Sequence, residues 1–188
     1  MIIPFLGKTV KEYRKNYLIL LSQIIPICPI CNEKCHHHCW YERKVRGLDP
    51  TIIIILRVKC PKCGSTHAIL PDFLFPRGRY SGTIREATIL DCEIKGKTQE
   101  AASENQAVET TRRWIKRYRE ITANIIAALR SVLARLVRYE SAVIGSGFDQ
   151  LKQMSVAIET ALGHEINASG IFGKANILLN WGNTGVWI

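Results

Sequence analysis

The chain has 188 residues, 47% of them apolar and 22% charged, with a formal net charge of +10. That length suits one domain or two small ones and excludes a large multidomain enzyme. A mean hydropathy of +0.01, with 4 Trp, 6 Tyr and 5 Phe, excludes a wholly disordered chain. The charge is unevenly placed: residues 1–79 carry a net +8, residues 80–140 a net +3, and the last 48 residues a net −1. Basic surface of this kind attracts polyanions, nucleic acid first and anionic membrane second.

Residues 1–27 combine a basic patch with the apolar stretch Tyr17–Ile27, which can be a strand or a buried helix turn. Ser22, Gln23 and Pro26 interrupt that stretch, which is about half the roughly 20 residues a membrane span needs. Lys8, Lys11, Arg14 and Lys15 follow the first apolar residues instead of preceding an apolar run, so no secretory signal is expected. The expectation is a soluble cytoplasmic protein with no membrane partner.

Six of the seven cysteines lie between Cys28 and Cys63, and only Cys92 lies outside. In a reducing compartment, clustered thiols hold metal more often than they form a disulfide scaffold. Cys28-Pro-Ile-Cys31 and Cys60-Pro-Lys-Cys63 are two C-P-x-C pairs separated by 28 residues. Two residues between cysteines let one tight turn aim both thiolates at a single ion, and Gly64 permits the left-handed residue that closes such a turn. The strand-like runs Trp40–Arg46 and Ile52–Lys59, joined by Gly47-Leu48-Asp49-Pro50, form a hairpin that would bring the two turns together. His67–Leu70 can add a third strand. One structural Zn²⁺ on Cys28, Cys31, Cys60 and Cys63 is therefore expected. Neither pair has the βαβ context of a redox C-x-x-C. Cys35, His36, His37, His38 and Cys39 could supply alternative ligands or a second site, but so short a run reads more simply as an exposed cluster. His67 is expected to be structural or phosphate-facing, and Cys92 a small core residue.

Pro71–Tyr80 reads as an extended connector, after which the pattern becomes helical. Ser81 or Thr83 can cap a helix running to about Glu93, and Thr98 can cap a short second helix to Glu104. Ala101 and Ala102 would give that second helix close packing on the third. Asn105 stands at the following turn, where positive φ is needed. A third helix begins near Glu109 and keeps one apolar stripe from Trp114 through Ile125 to Leu136, with Gly145 and Gly147 expected to end it. Its first turns leave Thr110, Arg112, Arg113, Lys116, Arg117 and Arg119 as candidate DNA contacts, since arginine suits both phosphate and guanine.

The run TQEAASENQAVETTRRWIKRYRE resembles the helix-turn-helix of bacterial transposases and their relatives. The layout CPIC…RVKCPKCGSTHAILPDFLFPRGRYS resembles the zinc ribbon preceding such a domain in a family of short bacterial transposase-like proteins. The resemblance spans roughly residues 28–120 and implies DNA binding, with zinc on Cys28, Cys31, Cys60 and Cys63. Gln106 stands where such motifs usually bury Val or Ile, and Glu109 lies near the start of the recognition helix.

A transposase catalytic domain would need a carboxylate triad holding two Mg²⁺ ions on a ribonuclease-H-like fold. The chain has four aspartates, Asp49, Asp72, Asp91 and Asp149, and no βββαβ pattern after Leu136. With no phosphate loop or activated nucleophile, a non-enzymatic protein is expected. Phe148–Leu162 reads as a further amphipathic helix, while residues 167–188 carry no clear pattern. Ile171, Phe172, Ile177, Leu178, Leu179, Trp181 and Trp187 need cover, either within the chain or in a homodimer through this C-terminal region.

The expected fold class is α+β: an N-terminal segment (1–27), a small β zinc ribbon (28–72), a three-helix helix-turn-helix (73–122) and a mostly helical C-terminal extension (123–188). The expected function is zinc-stabilised binding of double-stranded DNA, in a transposon-associated protein or a transcriptional regulator, on the nucleoid when DNA-bound. The alternative is a zinc-stapled module for an acidic protein or RNA, with no specific reading of duplex DNA.

Overall fold

The computed structural model describes residues 1–47, 50–76, 78–104, 106–136 and 145–181. It is a mixed α+β arrangement of a three-stranded antiparallel sheet and five helices: α1 (Val10–Ser22), β1 (His36–Val45), β2 (Thr51–Lys59), β3 (Thr66–Ile69), α2 (Gly82–Glu93), α3 (Val108–Leu136), α4 (Gly147–Leu162) and α5 (Ile171–Trp181). No helix among the described residues is long and apolar enough to cross a membrane.

The stretch Tyr17–Ile27 resolves as the end of α1 and the loop after it. Thr9 caps α1 by accepting from the Glu12 N–H, and the Glu12 carboxylate accepts from the Lys8 N–H at 2.9 Å. Tyr13, fully buried, donates its hydroxyl to the Ile54 carbonyl at 2.7 Å and sets its ring edge against Phe73, pinning α1 to the sheet. β1 pairs with β2 in a register that places Trp40 opposite Leu56 and Val45 opposite Thr51, with an irregularity between His37 and Cys39. β2 pairs with β3 through Leu56–Ile69 and Val58–His67. Alternation along β2 buries Ile53 and Ile55 on one face of the sheet, while Leu56 and Val58, of the opposite parity, are buried on the other. The N-terminal chain extends the sheet through the parallel bridge Ile2–Ile69.

The connector is tied at both ends. Arg43 on β1 donates to the carbonyls of Phe75 and Gly78, and Ser81 caps α2 by accepting from the Ile84 N–H. Thr98–Glu104, expected to be helical, is a single turn in which the Ala102 N–H reaches the Thr98 carbonyl at 3.0 Å. Asn105 lies outside the described residues. Gln106 is buried because the junction it fills is polar: its amide nitrogen lies 3.1 Å from the hydroxyls of both Thr88 and Thr111 and 3.2 Å from the Ala102 carbonyl. Gly147 does not end α3. It opens α4, whose N-cap Ser146 and Asp149 form a reciprocal capping box.

Two apolar cores result. The first gathers the N-terminal segment, α1, the sheet and Phe73–Leu74; the second gathers Phe75, α2, the stripe of α3, α4 and α5. α5, carrying no periodic signal in the sequence, belongs to both: Ile177 enters the first, and Phe172, Ala175, Leu178 and Leu179 the second. Its N-terminus is half-buried and capped: Asp72 accepts from the Ser169 N–H and hydroxyl, and Glu86 accepts from Ile171 and Phe172 N–H at 3.0 and 2.8 Å. Glu159 on α4 binds the Ile166 N–H and Lys174 Nζ, each at 2.7 Å. The C-terminal apolar residues named above are therefore largely covered within the chain, with Trp181 exposed and Trp187 outside the described residues.

Phe172 stacks on Tyr118 with ring centres 5.9 Å apart and also meets Phe75 and Phe148. Phe172→Ala should cost about 3–5 kcal/mol of stability, read as a lowered urea midpoint, because a cavity replaces a fully buried ring. Burial raises the Asp72 carboxyl to about 6, against the hydrogen bonds from Ser169 that favour its charge. The folded pKa lies above the unfolded one, so Asp72 stabilises the fold at low pH and that contribution is lost as pH rises from about 4 to about 6. The stability of wild type relative to Asp72→Asn should fall over that window by at most on the order of 2–3 kcal/mol. A pH-independent difference would contradict this assignment.

Candidate metal centre and basic helix

The two C-P-x-C turns are built alike. The Cys28 N–H reaches the Glu33 carbonyl at 2.8 Å and the Asn32 N–H returns to the Cys28 carbonyl at 2.9 Å; the Cys60 N–H reaches Ser65 at 2.9 Å and the Gly64 N–H returns to Cys60 at 3.1 Å. Both turns close on a left-handed residue, Asn32 at φ 57° and Gly64 at φ 72°. Asn32 was legible in principle, because asparagine follows the first pair where glycine follows the second and is among the few side chains that tolerate this region.

The hairpin brings the turns face to face. Cys28 Sγ lies 3.6 Å from Cys63 Sγ and Cys31 Sγ 3.4 Å from Cys60 Sγ, with all four sulfurs within 4.8 Å of one another. Four thiolates bound to one ion at about 2.3 Å stand about 3.8 Å apart along the edges of a tetrahedron. The cluster is therefore the right size to hold a single metal ion. Cys28 and Cys60 are buried, Cys31 is half-buried and Cys63 exposed.

Thiol ionisation in the cluster is uneven. Hydrogen bonds from the Ser65 side chain and backbone bring Cys63 down to about 6. Cys28 is also lowered: burial opposes its charge, but backbone hydrogen bonds at Ile30 and Cys31 prevail. Cys31 is pushed up to about 12, since burial and the neighbouring cysteine sulfurs outweigh the hydrogen bond from the Glu33 backbone. Four like-charged sulfurs so close repel one another, and a cation among them removes that cost.

A buried shell backs the cluster. Cys35, expected to be exposed with its histidine neighbours, is buried, whereas His36, His37 and His38 are exposed and Cys39 half-buried. The strand alternation that begins at His36 does not extend back to Cys35, which follows the first turn inward. Its N–H binds the Pro26 carbonyl at 2.8 Å, and burial lifts its thiol to about 11. Cys35, Cys28 and His67 form a second close group of metal-compatible donors, sharing Cys28 with the first. His67 Nδ1 lies 3.1 Å from the Met1 α-amino group and Nε2 lies 3.3 Å from Cys28 Sγ. Burial and then the Met1 amino group hold the ring pKa down, and His67 Nε2 backs the Cys28 sulfur. Cys92 is half-buried and its thiol is raised by burial.

The basic residues predicted on the third helix fall on α3. Arg112, Arg113, Lys116, Arg117 and Arg119 are exposed, while Thr110 is half-buried, and Thr111, Ile115 and Tyr118 face the core. Their surroundings differ. Arg112 pairs with Glu109 at 2.7 Å, and Lys116 stands 3.9 Å from Glu120. Arg119 forks onto the Glu93 carboxylate at 2.8–3.2 Å and braces α3 against α2. Arg113 meets only the Glu109 carbonyl and the Thr110 hydroxyl, and among the described residues neither Arg113 nor Arg117 has a carboxylate partner. Sequence reasoning missed Arg85 on α2, whose side chain covers the Phe75 ring at 4.7 Å. Burial and then the charge of Arg117 bring Arg85 down to about 10, so two cations stand close on adjoining helices.

Protein purified without chelator should carry about one tightly held metal ion per chain, bound by four cysteines. Cys60→Ser should lose that ion and unfold at lower temperature than wild type. A metal-free wild-type protein of unchanged melting temperature would rule the centre out.

Residues 28–114 match a family described as a domain of unknown function (DUF6431), which takes in both cysteine pairs, the sheet, α2 and the first turns of α3. No curated protein and no solved structure matches the chain.

Proposed function

We propose that the protein is a zinc-stabilised, non-enzymatic DNA-binding protein of the transposase-associated or regulatory kind. The sheet with its two cysteine turns acts as a zinc ribbon, and α2, the Thr98–Ala102 turn and the start of α3 act as a reduced helix-turn-helix. Zinc is favoured because a tetrahedron of thiolates suits this ion and the sulfur spacing suits one ion instead of a multi-iron cluster. The observation that carries the reading is the exposed pair Arg113 and Arg117 on α3, which has no carboxylate partner among the described residues. Cations held near one another without a carboxylate between them are stabilised by an anion, and a phosphate backbone supplies several at regular spacing. Arg112, Lys116 and Thr110 flank this pair, with Arg112 and Lys116 able to exchange their local glutamates for phosphates. Arg119 contributes by fixing α3 on α2. A binding role also accords with the buried carboxylates, since Asp72, Glu86 and Glu159 are all engaged around α5.

Duplex affinity should fall steeply with salt, by a log–log slope of about 0.9 for each phosphate contacted. Arg113→Ala with Arg117→Ala should abolish duplex binding in a gel-shift assay. Both side chains are on the surface, so stability should stay within about 0.5 kcal/mol of wild type. Duplex affinity that survives the double change would show that α3 is not the reading helix.

A further inference from the structure

Four of the cations of residues 1–79 gather at one cavity, whose Arg46 bridges Tyr80 beside Trp114 of α3. Between the start of α1, the end of β1 and the start of α2 is a cavity of about 680 Å³. Small-molecule sites typically enclose about 300–1,000 Å³. Its walls have two characters. Val10 and Ile84 provide half-exposed apolar surface, backed by the buried Val45 and Phe73. Lys8, Lys11, Arg14 and Arg46 provide four cations, all exposed at the head, and no carboxylate is among the described lining residues. Arg14 donates to the Thr51 hydroxyl at 3.2 Å, a neutral partner that orients the guanidinium without cancelling its charge. None of the four cations has an ion pair among the described residues. The first turns of both α1 and α2 border the same space, adding the partial positive charge of two helix N-termini.

Four converging cations around an apolar floor suit a ligand with one anionic end and one flat or apolar body. We propose that this cavity binds a nucleotide-sized phosphate ester, its phosphate held by Lys8, Lys11, Arg14 and Arg46 and its base laid against Val10 and Ile84. A free mononucleotide and an unpaired nucleotide of a strand offer this same chemistry. Arg46 also lines a neighbouring cavity with Arg43, Lys44, Arg79 and one carboxylate, Glu42, so a strand leaving the site would meet a net positive surface. The site shares no lining residue with the Arg113–Arg117 pair and does not rest on the duplex-binding reading.

The test is calorimetric titration of the full chain with deoxyadenosine 5′-monophosphate, with deoxyadenosine, and with a 5′-phosphorylated single-stranded hexadeoxyadenylate. Saturable binding of the monophosphate, absent for the nucleoside, is expected. Lys11→Ala with Arg46→Ala should weaken it roughly tenfold or more, through loss of charge-assisted contacts. The hexamer binding more tightly than the monophosphate would identify a strand as the source, and equal affinity a free nucleotide. The Arg113→Ala, Arg117→Ala protein should keep monophosphate binding, whatever becomes of its duplex binding. Far-UV circular dichroism and an unchanged melting temperature verify that the variants are folded; if the double alanine change disturbs the fold, Arg46→Gln alone serves. No binding up to about 5 mM, equal binding of the nucleoside, or undiminished binding to the folded variant would each overturn the proposal.

Discussion

The half-buried, capped N-terminus of α5 is the constraint on which the two halves of this protein depend. A helix that starts partly inside a protein brings unpaired N–H groups with it, and their desolvation is costly unless acceptors are waiting. Here Asp72 takes the Ser169 groups and Glu86 those of Ile171 and Phe172, so the connector, α2 and α5 are bound at one point. Only with that cap in place can α5 lie between the cores and put Ile177 into one and Phe172 and Leu178 into the other. Burial raises both carboxyls, so the cap is held at an electrostatic cost, which the positive end of the helix offsets in part.

The cysteine cluster imposes a second, more local constraint. Its two turns follow one backbone plan, and the β1–β2 pairing determines how far apart they stand. Behind them His67, Cys35 and the chain's first residue form a closed shell. His67 reaches the cluster from β3 and holds the α-amino group on its far side, which links the N-terminal segment to the state of Cys28. The proposed zinc would thus stabilise more than the hairpin, since the Ile2–Ile69 bridge runs alongside this shell.

Charge is divided in a way the net value conceals. On α3 several cations are already engaged: Arg119 with Glu93, Arg112 with Glu109, and Lys116 near Glu120. Arg113 and Arg117 remain. In the N-terminal part of the chain, Lys8, Lys11, Arg14 and Arg46 surround a cavity and form no ion pair among the described residues. The proposals assign a duplex to the Arg113–Arg117 pair and a nucleotide-sized phosphate ester to the cavity.

By itself the sequence determined what local pattern controls. The spacing of Cys28, Cys31, Cys60 and Cys63, the alternation of β1 and β2, the Ser81 cap and the long apolar stripe of α3 each follow from neighbours a few residues apart. Tertiary structure decided the remainder. Tyr17–Ile27 is ambiguous until Tyr13 docks on Ile54; Thr98–Glu104 is a single turn, after which Gln106 packs against the hydroxyls of Thr88 and Thr111; Gly147 starts a helix instead of ending one. Residues 171–181 have no polar face to give a period, because both sides of α5 are covered by partners distant in sequence. Their helix is specified by Asp72 and Glu86, roughly a hundred residues away, and the cavity by three segments that meet only in the fold. Short-range chemistry writes the cysteine cluster into the sequence, whereas sites built by convergence exist only once the chain has closed on itself.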